Sequence, residues 1–322
     1  MSTPAALDVI TAGEAMVLFG AQQSGPLQDV SSFARLAAGA ELNVAIGLAR
    51  LGLRVGYLSR LGQDAFGRFL AATLDREGID RRHVALDAAH PTGFMLKSRT
   101  DDGSDPRVEY FRRGSAASRM TVADLDGGYC AGARHLHLTG IYVGVSSTTR
   151  EMVFALAEQA RQQGQSISFD PNLRPTLWPS QAEMVDCLNQ LSAYSHCVMP
   201  GLSEGRLLSG RDTPEAIADF YLARGARQVV VKLGPQGAYY ACGQARGTVP
   251  GLPVARVVDT VGAGDGFAVG VVSALLEGLS LAEATARGNA IGARVVQFPG
   301  DSDGLPTREE LRDFVAAHQA TV

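Results

Sequence analysis

Asp265 ends the run Asp259-Thr260-Val261-Gly262-Ala263-Gly264-Asp265, a carboxylate set behind small residues where a helix begins. Downstream, Phe267, Val271, Ala274 and Leu275 recur at helical spacing, so the glycines end a loop and Asp265 falls in or beside the first helical turn. Unpaired backbone N–H groups at such a start face a bound phosphate. The helix dipole adds partial positive charge there, and glycine lets phosphoryl oxygens approach the backbone closely. A carboxylate at that point opposes anion binding, and chemistry is the natural explanation: Asp265 takes the proton of a hydroxyl that attacks a phosphoryl group. The alternative for the motif alone is a Gly-rich loop whose Asp caps a helix.

The elements that must hold this turn alternate in type. Residues 9–12 read as a strand, 41–51 as a helix with Leu42, Ala45, Ile46 and Ala49 on one face, and 55–59 as a second strand. Residues 66–78 form an amphipathic pattern with Phe69, Leu70 and Leu74 inward and Gly78 at its end. Strands recur near 135–139, 166–170, 197–199 and 228–232, separated by helical patterns such as 150–163 and 213–224. This rhythm predicts an α/β fold, a mostly parallel sheet with helices on both faces, built as a single domain over 1–322. Two β-rich excursions, about 14–36 and 92–113, predict a small β lid. In the second, 93–97 and 108–111 flank a polar turn at 101–105 as a hairpin. Ligands of such sheets gather at the carboxyl ends of strands, where Asp170-Pro171-Asn172-Leu173-Arg174 and Lys232-Leu233-Gly234-Pro235-Gln236-Gly237 fall.

Of the 322 residues 46% are hydrophobic, which supports a large core and argues against disorder. The formal net charge is −4 with Lys and Arg scattered, so small molecules are the expected partners rather than nucleic acid or a membrane surface. Cys130, Cys187, Cys197 and Cys242 are widely spaced without a CxxC pair, which argues against a zinc site or disulfide framework and predicts a reducing cytoplasm. No apolar run is long enough to span a bilayer, and residues 1–8 carry no secretory pattern. His135 and His137 share a strand face, but no third ligand is evident nearby, so they read as structural.

Three ordered segments, 38–45 (Ala-Gly-Ala-Glu-Leu-Asn-Val-Ala), 62–67 (Gly-Gln-Asp-Ala-Phe-Gly) and 259–266, resemble the ribokinase-like, or PfkB, carbohydrate kinases over nearly the whole chain. The resemblance implies a ribokinase-like fold, ATP and Mg2+ as cofactors, Asp265 as general base, and the amides of Gly262, Ala263 and Gly264 as the anion hole. Segments 110–118, 170–178 and 300–306 resemble, more narrowly, the 2-keto-3-deoxygluconate kinase branch. That resemblance implies sugar-acid contacts from Gly39, Ala40, Asn43, Phe94, Tyr110, Arg112 and Asp301, with Asn172 and Arg174 near the substrate and the nucleotide phosphates. Phe94 departs from it, since a tyrosine is expected there. A planar guanidinium suits a carboxylate through paired hydrogen bonds, which makes Arg112 and Arg174 the candidates for the acid group.

For the nucleotide, the resemblance assigns Lys232, Gly234 and Gly237 to a loop along the phosphates and ribose, and Asn289 to the base or ribose. Lys232 alone reads equally as a solvent-exposed strand end. Gly201 replaces an expected asparagine in Pro200-Gly201-Leu202-Ser203-Glu204, leaving Glu204 to organise Mg2+ through water. Asp259 resembles a ligand of a monovalent cation such as K+, and a structural turn role is equally consistent. Trp178 packs against the site's loop or simply in the core.

The function this implies is phosphorylation of 2-keto-3-deoxygluconate at its terminal hydroxyl, giving the 6-phosphate. The alternatives are a kinase of a neutral sugar of the fructose or ribose type, a kinase of a related keto acid such as 2-keto-3-deoxygalactonate, or a noncatalytic sugar or nucleotide sensor. Exposed lid edges predict a homo-oligomer paired through the lid.

Overall fold

Successive residues of the central strands are buried on opposite sides, the pattern of a parallel sheet covered by helices on both faces. In a computed structural model, which describes residues 6–100 and 106–319, Val9 enters one apolar cluster and Ile10 the other. Val230 likewise separates from Val229 and Val231. The polar turn expected at 101–105 lies outside the described residues.

The strands are β1 (Leu7–Ala12), β2 (Met16–Ser24), β3 (Phe33–Ala38), β4 (Val55–Gly62), β5 (Val84–Asp87), β6 (Phe94–Arg99), β7 (Val108–Phe111), β8 (Ala133–Thr139), β9 (Ser166–Asp170), β10 (Cys197–Val198), β11 (Gln228–Lys232), β12 (Ala238–Cys242) and β13 (Arg246–Val249). The helices are α1 (Ala40–Arg50), α2 (Ala65–Arg76), α3 (Gly127–Ala131), α4 (Ser147–Gln162), α5 (Gln181–Ser192), α6 (Leu202–Ser209), α7 (Pro214–Leu222), α8 (Ala263–Leu276), α9 (Leu281–Val295) and α10 (Arg308–Gln319). A nine-stranded sheet runs β13-β12-β11-β10-β9-β8-β1-β4-β5, parallel except where β12 and β13 turn back at one edge. A separate four-stranded sheet, β3-β2-β6-β7, is the expected lid, and β6 and β7 form its antiparallel hairpin. The β12–β13 edge was not read from the sequence, because it follows Lys232 where the alternation with helices stops.

Glycine seams set the helix that carries Asp265. Gly270 of α8 meets the backbone of Gly288 in α9, where an added Cβ would lie 2.6 Å from the Gly288 Cα. Gly266 faces Ile291 and Val295 one turn earlier along the same seam. Against α1 the match is residue for residue: Asn43 bonds Asp265, and one turn on, Gly47 abuts Val269. A Cβ at Gly47 would stand 2.5 Å from Val269 Cγ2, so α1 and α8 approach as closely as they do only because that side chain is absent. We expect Gly47→Leu to lower stability by about 1–3 kcal/mol through overpacking. Because it pries Asn43 from Asp265, turnover should fall further than the melting temperature alone accounts for; thermal melts run beside steady-state assays check this.

Candidate active site

Asp265 lies in the first turn of α8, 7% exposed, with an asparagine amide on each carboxylate oxygen. Asn43 Nδ2 donates to Oδ2 at 2.8 Å and Asn172 Nδ2 to Oδ1 at 3.2 Å. Burial pushes its pKa up to about 7; the Asn43 hydrogen bond opposes that, the Asp170 charge adds to it, and the Arg174 charge opposes it. The group is therefore poised as a base near neutral pH. Asn172 reaches it from a left-handed backbone, φ +40°, which asparagine tolerates better than most residues. Its own N–H donates to Asp170 Oδ1 at 3.3 Å, closing the turn after β9.

Around the helix start, no acceptor among the described residues faces the amides of Gly262, Gly264 and Asp265. These are the free donors an anion would meet. The sequence expectation needs one correction here: the Ala263 N–H turns back to the Thr260 carbonyl at 3.3 Å, closing the turn, and Ala263 does not line the cavity. Gly262 caps the helix at φ +85°, where a Cβ would also collide with the Asp301 carbonyl oxygen, so glycine is required twice over.

Lys232 ends β11 beside this turn and is not in solvent. Its ammonium donates to Asp170 Oδ1 at 2.9 Å and Oδ2 at 2.7 Å, and lies beside Gly264. Burial raises Asp170 to about 6 against the opposing charge of Lys232. Burial pulls Lys232 down, but the charges of Asp170 and Glu204 outweigh it and leave its pKa raised. Glu204 braces the loops: Oε1 accepts from Leu173 N at 2.8 Å and Oε2 from Gly201 N at 2.7 Å. With each oxygen holding one backbone donor, Glu204 keeps lone pairs for a water. No group of three or more metal-ligating side chains stands together among the described residues. That donor set fits an Mg2+ that arrives with phosphate and keeps most of its waters, with Glu204 and Asp170 as outer contacts.

The lid covers these groups and encloses a cavity of about 470 Å³, lined among others by Gly39, Ala40, Asn43, Tyr110, Arg112 and Asp301. Phe94 is not among them. Strand periodicity puts Met95 and Lys97 on the cavity side, while Phe94 stacks on Phe111 and packs edge-on to Phe19 behind the sheet, so Met95 and not the expected Phe94 lines the cavity. The two arginines differ in their engagement. Arg112 is held by Glu14, Nε and Nη2 lying 2.6 and 2.5 Å from Oε2, and Ser115 donates to the other Glu14 oxygen. Arg174 also lines the cavity, bonds only the carbonyl of Leu173, and takes part in no ion pair among the described residues. Asp301 and Asp259 share the ammonium of Lys97. Sequence reasoning missed Glu14, Asp170 and Lys97; the available signal for Lys97 was a cation in the inward register of a lid strand.

Gly234, Gly237 and Asn289 gather apart from this cavity. Gly237, φ +100°, packs on the backbone of Val249 and Gly251, and Asn289 Nδ2 donates to the carbonyls of Val249 and Pro250. Pro250, Gly251 and Ala290 line a groove of about 920 Å³ alongside. His135 and His137 are buried and hydrogen-bonded to Ser166 and Ser168, and burial holds both pKa values near 3, so they are neutral core residues. Trp178 is 8% exposed, packed against Gly144 under the guanidinium of Arg150.

A buried carboxylate of raised pKa at a helix start with free amides, facing a lidded polar cavity at the carboxyl ends of a parallel sheet, is the arrangement of a phosphotransferase acting on an alcohol. Residues 6–308 match the model of the pfkB family carbohydrate kinases, and the chain belongs to that family. A 2-dehydro-3-deoxygluconokinase of Bacillus subtilis (strain 168) is 50% identical over 314 residues, 97% of this chain and 97% of its own length. The crystal structure of a PfkB protein from Polaromonas sp. JS666 is 53% identical with a TM-score of 0.89, over 95% of this chain and 99% of that one. A putative ribokinase II from E. coli in complex with ATP and Mg2+ is 27% identical with a TM-score of 0.90, over 97% and 100%.

Asp265 must be ionised to act as a base, so in that role it should make kcat/KM rise with pH, with unit slope, to a plateau above an inflection near 7. A profile flat down to pH 5 would overturn the assignment. Asp265→Asn should keep the fold and ligand binding and lose roughly 10²–10⁴-fold in turnover, as read by a coupled ADP assay.

Proposed function

We propose that this chain is an ATP-dependent sugar-acid kinase that converts 2-keto-3-deoxygluconate to its 6-phosphate. The observation that carries the acid substrate is Arg174, a guanidinium without an ionic partner among the described residues, in a cavity whose other cations, Lys97, Arg112 and Lys232, are each paired with carboxylates. A cation held there in low dielectric favours an anionic substrate, and its planar donors suit a carboxylate. The 2-dehydro-3-deoxygluconokinase relative supports the same reading. Arg112, neutralised by Glu14, serves as a fixed wall and offers its remaining donors to the sugar.

In the proposed reaction the terminal hydroxyl gives its proton to Asp265 as its oxygen attacks the γ-phosphorus. A new O–P bond forms, the bond from that phosphorus to the β,γ-bridging oxygen breaks, and ADP leaves with the electron pair. Asn43 and Asn172 hold the carboxylate in line, and the amides of Gly262, Gly264 and Asp265 stabilise charge on the transferred group. Glu204 and Asp170 would hold Mg2+ through water, and the ion would supply charge neutralisation to the phosphates. Lys232 lies on the phosphate path, and the groove beside Asn289 takes the base. The lid excludes water and so limits hydrolysis of ATP. Four free cysteines, and the absence among the described residues of any helix long and apolar enough to cross a membrane, accord with the cytoplasm as its place of work.

Pairing of lids between two copies accounts for Tyr110 and Phe111, which are 44% and 48% exposed on β7 at the lid's edge. Light scattering at micromolar concentration should give a dimer mass for the native chain and a monomer mass for Phe111→Glu. ADP release with 2-keto-3-deoxygluconate should exceed that with 2-ketogluconate, fructose and ribose under the same conditions. Preference for fructose or ribose would leave the mechanism standing and overturn the substrate. Arg174→Ala should lower kcat/KM for the keto acid roughly 10- to 100-fold, mainly through KM, as expected for one lost charge-assisted contact.

A further inference from the structure

Lys97 projects from the cavity side of β6 into the protein body. Its ammonium lies 2.6 Å from Asp259 Oδ2 and 2.7 Å from Asp301 Oδ1, and none of the three side chains is more than 8% exposed. The two carboxylates belong to the segments that frame the anion site. Asp259 Oδ1 accepts the N–H of Val261 at 2.9 Å and so shapes the turn into Gly262. The Asp301 backbone packs against Gly262 from the other side, on the face where a Cβ would collide with it.

Two buried carboxylates behind a site that must bind phosphate need a cation between them. In the resemblance drawn from the sequence that cation is a monovalent ion at Asp259. The residues present here do not fit such an ion. Of the two Asp259 oxygens, one is held by the ammonium and the other by a backbone N–H, and a second cation at the same carboxylate would face Lys97 at close range in low dielectric. Burial pulls the Lys97 pKa down, yet Asp301 and Asp259 outweigh it, so the ammonium stays charged.

We propose that Lys97 is a built-in monovalent cation. It is a positioning residue that holds the 259–262 turn against the 301 segment and neutralises the charge behind the anion site, so that phosphoryl transfer proceeds without added K+ or Na+. Because Lys97 is carried on the lid, that charge is in place only when the lid sheet is seated on the body. The inference rests on the phosphotransferase reading of Asp265 but not on the identity of the sugar.

The test compares turnover of the native chain in tetramethylammonium, Na+ and K+ chlorides at one ionic strength, beside Lys97→Met and Lys97→Arg. The native chain should vary by less than about twofold, because its cation site is already filled. In tetramethylammonium, Lys97→Met should lose roughly 30-fold or more in kcat/KM, and K+ or methylammonium should restore about tenfold of it. K+ should raise the melting temperature of Lys97→Met and not that of the native chain, and Lys97→Arg should remain independent of added cations. Tenfold activation of the native chain by K+ would overturn the inference, as would a Lys97→Met chain that is fully active without cations or one that no cation rescues. If Lys97→Met fails to fold, the native chain and Lys97→Arg still decide. If no sugar is phosphorylated, the kinase reading has failed, and the melting-temperature arm, which needs no turnover, still tests the cation site.

Discussion

The structure depends on holding a carboxylate ready to ionise beside a site that binds anions. Asp265 can do this because its charge is carried by two asparagine amides and by the start of α8, without a cation of its own that would quench its basicity. A lysine in either asparagine's place would pull its pKa down and leave a weak base. The surrounding carboxylates are treated in the opposite way. Asp170 has Lys232, Glu14 has Arg112, and Asp259 and Asp301 share Lys97, so each is paired with a fixed cation. Arg174 has no such partner among the described residues. The contrast between one base held by neutral donors and several carboxylates held by cations is the electrostatic plan of the site.

That plan holds only if the amides stay where they are, and the packing explains how they do. Asn43 is fixed by α1, which lies close to α8 because Gly47 leaves space for Val269. Asn172 is fixed by the turn after β9, with Glu204 clamping Leu173 and Gly201 on either side of it. The α8 axis is fixed from behind by the contact of Gly266 and Gly270 with α9. The glycines of α8 therefore do two different jobs: those at its start expose amides, and those within it let neighbouring helices approach. Helix propensity argues against both, and tertiary packing overrides it.

Much of this was legible in the sequence, for identifiable reasons. The start of α8 and the position of Asp265 in its first turn follow from small residues ahead of a 3.6-residue apolar repeat, and the strand ends at Asp170 and Lys232 follow from apolar runs stopped by charge. The lid hairpin was visible, but its register was not: one residue decides whether Phe94 or Met95 faces the cavity, and both are apolar, so composition could not choose between them. Pairings between distant segments were hidden for another reason. Glu14 with Arg112 and Lys97 with Asp259 join residues far apart in the chain, and one sequence does not reveal which charges meet.

Those two pairings share a direction. Arg112 follows the last lid strand and Lys97 stands on β6, and their partners Glu14, Asp259 and Asp301 lie outside the lid strands. The inner side of the lid is thus cationic, and the body it covers presents carboxylates. Lifting the lid would leave those carboxylates without their cations; seating it pairs them, beside the amides of Gly262, Gly264 and Asp265 and the cations Lys232 and Arg174. The lid then does more than exclude water. It supplies the charge balance without which a carboxylate-rich cavity has no reason to bind a polyanion, and it makes phosphate binding and enclosure of the sugar parts of one electrostatic event.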